Sequence, residues 1–194
     1  LCLVQRHLCA PNAHVGITRL TKIRLSLIPF RDRCYDSGLR LRFPVPYLEA
    51  DRTLPSIDVK PFRERVPELI PGRAGQPSVV FFTGCGINYM YPAIGEAFLK
   101  ALKFLGVTVI IPKDQACCGL PAVSAGATKT IEKLAEQNLA AITSHKADHI
   151  VTACASCNAG LGDIYAAMGD EFNDLSARTV DIFVFLANHG LPEK

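Results

Sequence analysis

The stretch SVVFFTGCGINYMYPAIGEAFLKALKFLGVTVII, residues 78–111, holds a strand, a turn, a helix and a second strand in that order. Ser78–Thr83 is a short apolar run rich in β-formers, bounded by Pro77 and Gly84, which predicts a buried strand. From Pro92 to Leu105 the apolar residues Ile94, Phe98, Ala101 and Leu105 share one helical face; Pro92 suits a first turn and Gly106 a stop. Val107–Ile111 is a second strand. The same alternation continues downstream. Thr128–Ile142 has helical spacing at Ile131, Leu134, Ala135, Leu139 and Ile142, and Asp148–Ala153 is a third strand. Ala155–Met168 and Arg178–Asn188 are expected as further helices. Strands alternating with helices predict an α/β fold, a small parallel sheet with helices packed on it in βαβ units. Crossovers in such sheets are right-handed, so every strand enters its helix at the same edge, and ligands bind along that edge.

Working upstream from residue 78, the pattern breaks down. Residues 1–76 are punctuated by Pro11, Pro29, Pro44, Pro46, Pro55, Pro61, Pro67 and Pro71, and proline both removes a backbone donor and disfavours helix before it. Two parts follow: an irregular basic N-terminal extension or strap over 1–76, and a cysteine-rich α/β domain over 77–190. A short amphipathic helix around Ile17–Ile28 is expected, and Leu54–Ile70 is expected as an extended strap across a neighbouring domain. The net charge of +3 is uneven, with eight Lys/Arg against three acids in residues 1–50 and a slight acidic excess beyond. Neither a nucleic-acid motif nor interleaved aromatics accompany the basic arm, so nucleic acid is not the expected partner and a solvated linker is. No apolar run reaches 18 residues, so no transmembrane segment is expected. The chain opens on Leu1 rather than Met, as a processed chain or fragment would.

Eight cysteines are too few for a disulfide scaffold in 194 residues, which favours free thiols in a reducing compartment. Cys2, Cys9 and Cys34 fall in the poorly patterned part. The other five fall after predicted strands: Cys85 after the first, Cys117 and Cys118 after the second, Cys154 and Cys157 after the third. The topology therefore predicts that five thiols about 30 residues apart in sequence meet on one sheet edge. Cys154-x-x-Cys157 has the gap that lets two sulfurs meet one metal centre, at a helix start that favours thiolate. Alone this pair is shared by zinc, thioredoxin-like and iron–sulfur sites. The adjacent Cys117-Cys118 pair argues for several metals, because consecutive residues rarely both reach one tetrahedral ion. Five thiols also exceed the four of a zinc site or an ordinary cubane. Gly84, Gly86 and Gly119 flank these ligands, where glycine permits close approach or positive φ and offers N–H groups to sulfur. His145, His149, Glu132, Glu136 and Asp148 are expected as solvated surface groups. No histidine base accompanies Ser156 to make it a nucleophile.

The array of Cys85, Cys117-Cys118-Gly119 and Cys154-x-x-Cys157, in the words FFTGCGINYMYP (81–92), VIIPKDQACCGLPA (109–122) and IVTACASCNAGL (150–161), resembles the cysteine-rich CCG domain. That domain occurs in heterodisulfide reductase, in glycolate and lactate oxidase iron–sulfur subunits, and in the anaerobic glycerol-3-phosphate dehydrogenase small subunit. The segment with Arg52-Thr-Leu-Pro55 and Pro61-Phe-Arg63 is similar to the one preceding the domain in glycolate-oxidase-type proteins. The resemblance implies a [4Fe–4S] centre, cubane or noncubane, held by the five motif cysteines. It implies electron relay from a flavin-bearing dehydrogenase subunit, where a 2-hydroxy acid is oxidised, to a membrane or soluble acceptor, in the cytoplasm or at the inner membrane face. The flavin is expected on that partner alone, since no GxGxxG follows a strand here. In the heterodisulfide reductase type the centre acts on a disulfide directly, and a structural zinc module is the third reading. Two features depart from the family: Cys2, Cys9 and Cys34 form no CxxCxxCxxxCP run, and only one cysteine array is present. With the chain stopping at Lys194, this is expected of a fragment or partial gene product.

Overall fold

A computed structural model describes residues 57–190 and, upstream, two short strands, β1 (Leu39–Arg40) and β2 (Thr53–Leu54), paired antiparallel. The helix expected at Ile17–Ile28 lies outside the described residues. The principal sheet has five strands in the order β3-β5-β4-β6-β7: β3 (Leu69–Ile70), β4 (Ser78–Phe82), β5 (Thr108–Ile110), β6 (His149–Thr152) and β7 (Thr179–Asp181). β4 through β7 pair in parallel, and β3 adds an antiparallel edge against β5.

Side-chain alternation along the strands divides the core into two layers. On β4, Val79 and Phe81 point to one layer while Val80 and Phe82 point to the other. The first layer is covered by α2 (Pro92–Leu105) through Leu99 and Leu102, and by α7 (Ile182–His189) through Ile182 and Phe185. The second is covered by α4 (Thr128–Thr143) through Ile131, Leu134 and Ala135, and by the segment Leu161–Leu175. Helix α2 runs from Pro92 to a left-handed Gly106 at φ 76°, whose N–H returns to the helix's last carbonyls, so both expected ends are present.

Three expectations need correction. The strap over Leu54–Ile70 is not simply extended: it carries a helical turn, α1 (Phe62–Arg65), and β3, and it buries Phe62 and Ile70 in the α2 layer. The helix expected over Ala155–Met168 is α-helical only as α5 (Ala155–Ala159) and continues as a π-helical turn, Gly160–Ile164. Gly160 and Gly162 lower helix propensity there, and Gly160 lies against Cys118. The helix expected over Arg178–Asn188 splits into the end of α6 (Asn173–Arg178), strand β7, and α7. Thr179 and Val180 are β-branched, and Asp181 caps α7 by accepting from the Phe183 N–H at 2.8 Å.

At the edge where the strands begin, Asp148 accepts from both the Ser78 N–H and the Ser78 hydroxyl, each at 2.7 Å, fastening β6 to β4. Those hydrogen bonds hold the exposed Asp148 carboxyl below its usual range. The opposite edge is irregular, with helix α3 (Leu120–Ser124) and the π-helical turn Gly86–Met90. Among the described residues no helix is long and apolar enough to cross a membrane.

Candidate metal centre

The strand order puts a topological switch point at β4. The chain leaves β4 for β5 on one side, then returns past it to β6 on the other. Open α/β sheets bind ligands in the crevice outside the strand ends at such a point. The residues that follow β4, β5 and β6 here carry the five motif cysteines, all free thiols.

The fold brings all five together. Cys85 Sγ and Cys117 Sγ are 3.9 Å apart. Cys117 neighbours Cys118, Cys118 is hydrogen-bonded to Cys157, and Cys157 to Cys154. The row is closed from the Cys85 side by Gly84, where an added Cβ would stand 2.6 Å from Cys157 Sγ. Cys117, Cys118 and Cys157 are buried, whereas Cys85 and Cys154 are half-buried and form the open side.

Of the three glycines expected to matter, two carry steric work. Gly84 has φ 58° and Gly119 φ 88°, both left-handed. The Gly119 N–H also donates to Cys117 Sγ at 3.5 Å. Gly86 has neither positive φ nor a close neighbour; its carbonyl instead accepts from the Tyr91 N–H at 2.9 Å and closes the π-helical turn after Cys85. Gly160 is a further close approach: an added Cβ would lie 3.0 Å from the Cys118 Cβ.

Two buried amides hold the thiol-bearing loops. Gln115 joins the ends of β4 and β5: its Oε1 accepts from the Thr83 N–H at 2.8 Å, and its Nε2 donates to the carbonyls of Pro112 (3.0 Å) and Phe81 (3.3 Å). Asn138 reaches from α4: its Oδ1 accepts from the Ala116 N–H at 2.7 Å, and its Nδ2 donates to the Cys117 carbonyl at 2.9 Å and to the Tyr165 hydroxyl at 2.8 Å. On the other flank Arg63 donates to the carbonyls of Lys113 (2.9 Å) and Gln115, and Lys113 donates to those of Arg63 and Val66, tying α1 to the segment before Cys117. Neither amide stands out in the sequence. Gln115 follows Lys113-Asp114 and Asn138 follows Glu136-Gln137, so neither interrupts an apolar run.

Proton sharing along the row separates the thiols. Cys154 is pulled down to about 5, first by its hydrogen bond with Cys157 and then, against burial, by the N–H groups of Cys157 and Ser156. Cys118 is also pulled down, by donation from Cys117 and Cys157 and by the Leu120 N–H. Cys85 is pushed up by its contact with Cys117 and by burial, and Cys157 by sharing with Cys118 and Cys154. Cys117, Cys118 and Cys157 therefore titrate together.

The thiols' hydrogen-bond partners are other thiols, backbone groups and Ser156, a soft all-sulfur donor set. Among the described residues no group of three or more His, Cys, Asp or Glu side chains is arranged to hold a single metal ion. A row of sulfurs closed by two glycine approaches suits a multi-metal cluster, whose irons are ligated at separate points. Of the remaining polar candidates, His145 Nε2 stands 3.8 Å from Glu68 Oε1 and His149 packs edge-on to Phe185, whereas the exposed Ser156 hydrogen-bonds to Cys154.

Comparison with known proteins agrees with this geometry. Residues 79–162 match the cysteine-rich domain family CCG. The chain is 36% identical over 156 residues to an uncharacterized iron–sulfur protein of Methanococcus maripaludis, covering 80% of this chain and 30% of that protein. It is 40% identical over 108 residues to one subunit of the fumarate reductase (CoM/CoB) of Methanothermobacter marburgensis, covering 56% and 21%. It is 29% identical over 136 residues to the probable glycolate oxidase iron–sulfur subunit of Bacillus subtilis, covering 70% and 31%. The chain thus spans a third or less of the length of these relatives. No solved structure matches it. Its relatives include iron–sulfur subunits of oxidoreductases, and over residues 79–162 this chain is similar to the cysteine-rich domain family CCG.

Proposed function

We propose that Cys85, Cys117, Cys118, Cys154 and Cys157 together ligate one [4Fe–4S] cluster, cubane or noncubane. The chain would then serve as the electron-transferring part of a glycolate- or lactate-type 2-hydroxy acid oxidoreductase. The observation that carries the proposal is the gathering of five thiols at the switch point of the sheet. When bound, the cluster supplies single-electron acceptance and donation. The chain's own residues do the rest. Gly84 and Gly160 leave room for sulfur, the Gly119 N–H donates to Cys117, and Gln115 and Asn138 fix the loops.

Electrons would enter from a flavoprotein dehydrogenase subunit and leave to a membrane or soluble acceptor, in the cytoplasm or at the inner membrane face. The similarity to the probable glycolate oxidase iron–sulfur subunit supports this partner class. The cysteine-rich domain over 77–190 would be the working unit, with the preceding strap attached to it through β3 and α1. A second reading, direct action on a disulfide, is favoured by the half-buried Cys154 on the open side and by the similarity to the fumarate reductase (CoM/CoB) subunit.

The test is anaerobic reconstitution of the full chain, with iron, sulfide and zinc counted and electron paramagnetic resonance recorded after oxidation and reduction. About four irons and four sulfides per chain are expected. One zinc and no sulfide would establish a structural zinc module instead. A spectrum perturbed by added disulfide would favour the second reading.

A further inference from the structure

The strap before the sheet reaches two of the thiol-bearing loops through one residue. Arg63 lies in α1, outside every cysteine word of the sequence. Its N–H donates to Asn88 Oδ1 at 3.0 Å, and its guanidinium donates to the Tyr89 hydroxyl. Asn88 and Tyr89 belong to the π-helical turn Gly86–Met90, directly after Cys85. The same guanidinium donates to the carbonyls of Lys113 (2.9 Å) and Gln115, and Gln115 stands two residues before Cys117. Lys113 returns the contact by donating to the Arg63 carbonyl. Cys85 and Cys117, which these loops bear, approach to 3.9 Å at Sγ.

The brace has a fixed base. Phe62 is fully buried and edge-on to Phe81, and an added Cβ on Gly95 of α2 would stand 2.8 Å from its ring. Arg63 therefore leaves the α2 layer from a packed position. Among the described residues it makes no ion pair, so its fork is spent on the two loops. A planar guanidinium with five N–H groups reaches several oxygens at once, which a single ammonium does not. Gln115 is buried, so its carbonyl has no water to replace a lost donor.

We propose that Arg63 is a positioning residue for the metal centre: by bracing the Cys85 loop against the Cys117 loop, it sets the separation of those two ligands. This inference rests on the cluster reading above. Removing outer groups that orient metal ligands costs about 10–100-fold in metal affinity. Arg65 supplies the control. It lies in the same helical turn but bonds Asp58, the Lys60 carbonyl and Glu96, none of them in a thiol-bearing loop.

The experiment uses the anaerobically reconstituted full chain, with iron counted in every sample. Loss of iron to a chelator is timed by visible absorption, and electron paramagnetic resonance is recorded after reduction. Arg63→Ala is expected to release iron about tenfold faster than the wild type, with an altered resonance line shape. Arg63→Lys, which keeps the charge and loses the fork, is expected to fall between the two. Arg65→Ala is expected to keep the wild-type rate and spectrum. A wild-type rate and spectrum in Arg63→Ala would overturn the proposal. So would an equal change in Arg65→Ala, which would assign the effect to the strap's stability. If Arg63→Ala does not fold, Arg63→Lys decides alone, and a wild-type rate and spectrum there overturns the proposal. A wild-type chain that takes up no iron would defeat the cluster reading and this inference together, an outcome told apart by the iron count.

Discussion

The two layers on either side of the sheet differ in kind. The α2 and α7 side is built from Phe62, Val79, Phe81, Leu99, Leu102, Val109, Ile182 and Phe185, with no buried thiol. The α4 side mixes Val80, Phe82, Leu134 and Ile150 with Cys117, Cys118, Cys157 and Tyr165, and Asn138 reaches into it. One layer follows the rule that large apolar side chains fill the interior at crystal-like density. The other accepts polar groups and satisfies them with hydrogen bonds, which holds the sulfur-bearing loops in place. The chain thus separates the layer that stabilises the sheet from the layer that shapes the site.

That separation is open to direct attack. Phe81→Ala empties a fully buried ring position in the apolar layer, where the ring stands edge-on to Phe62 at 6.1 Å. The expected loss is about 3–5 kcal/mol in urea unfolding of the metal-free chain. Iron per folded chain should stay at the wild-type value. A smaller effect comes from Asn138→Ala, which strands the Ala116 N–H and the Cys117 carbonyl. The expected cost is about 2–3 kcal/mol by the same measurement. Here iron content should fall even in chain that remains folded, the reverse of the Phe81 result. Smaller again is Gly84→Ala. It strains a left-handed residue at a cost of about 1–2 kcal/mol. Its Cβ would also press on Cys157 Sγ, so iron loss should exceed what the stability change explains. Least disruptive is alkylation of the metal-free chain with iodoacetamide. Cys154 is half-buried and pulled down to about 5, so its thiolate is present above roughly that pH. Peptide mass mapping at a pH of about 6 should find, among the five motif cysteines, Cys154 modified first and Cys157 last, because Cys157 is buried and its thiol is held protonated.

Much of this architecture is legible in the chain itself. The run SVVFFT, the proline and glycine that bound α2, and the apolar positions of α4 each agree with local propensity, so sheet and helices follow from period and punctuation. The convergence of the five thiols also follows, since parallel strands place their successors on one edge. What escaped depends on contacts distant in sequence. The edge strand Leu69–Ile70 exists only because β5 offers it a partner. Strand β7 and helix α7 follow one another directly in TVDIFVFL, apolar but for Thr179 and the capping Asp181, and period alone does not separate strand from helix there. The turn at Gly160–Ile164 winds wide because Gly160 must lie against Cys118 and Tyr165 must stack above it. Asn138 looks like any polar position on a helix until the Cys117 loop is seen to hang from it.

The central claim is that the five sulfurs act as one ligand set rather than as a four-thiol site with a spare. Iron bound per folded chain in Cys118→Ser, reconstituted beside the wild type, tests it most directly. Cys118 sits mid-row, between Cys117 and Cys157, so its loss should lower bound iron and bleach the visible absorption. Full iron and an unchanged spectrum in that variant would contradict the five-ligand account.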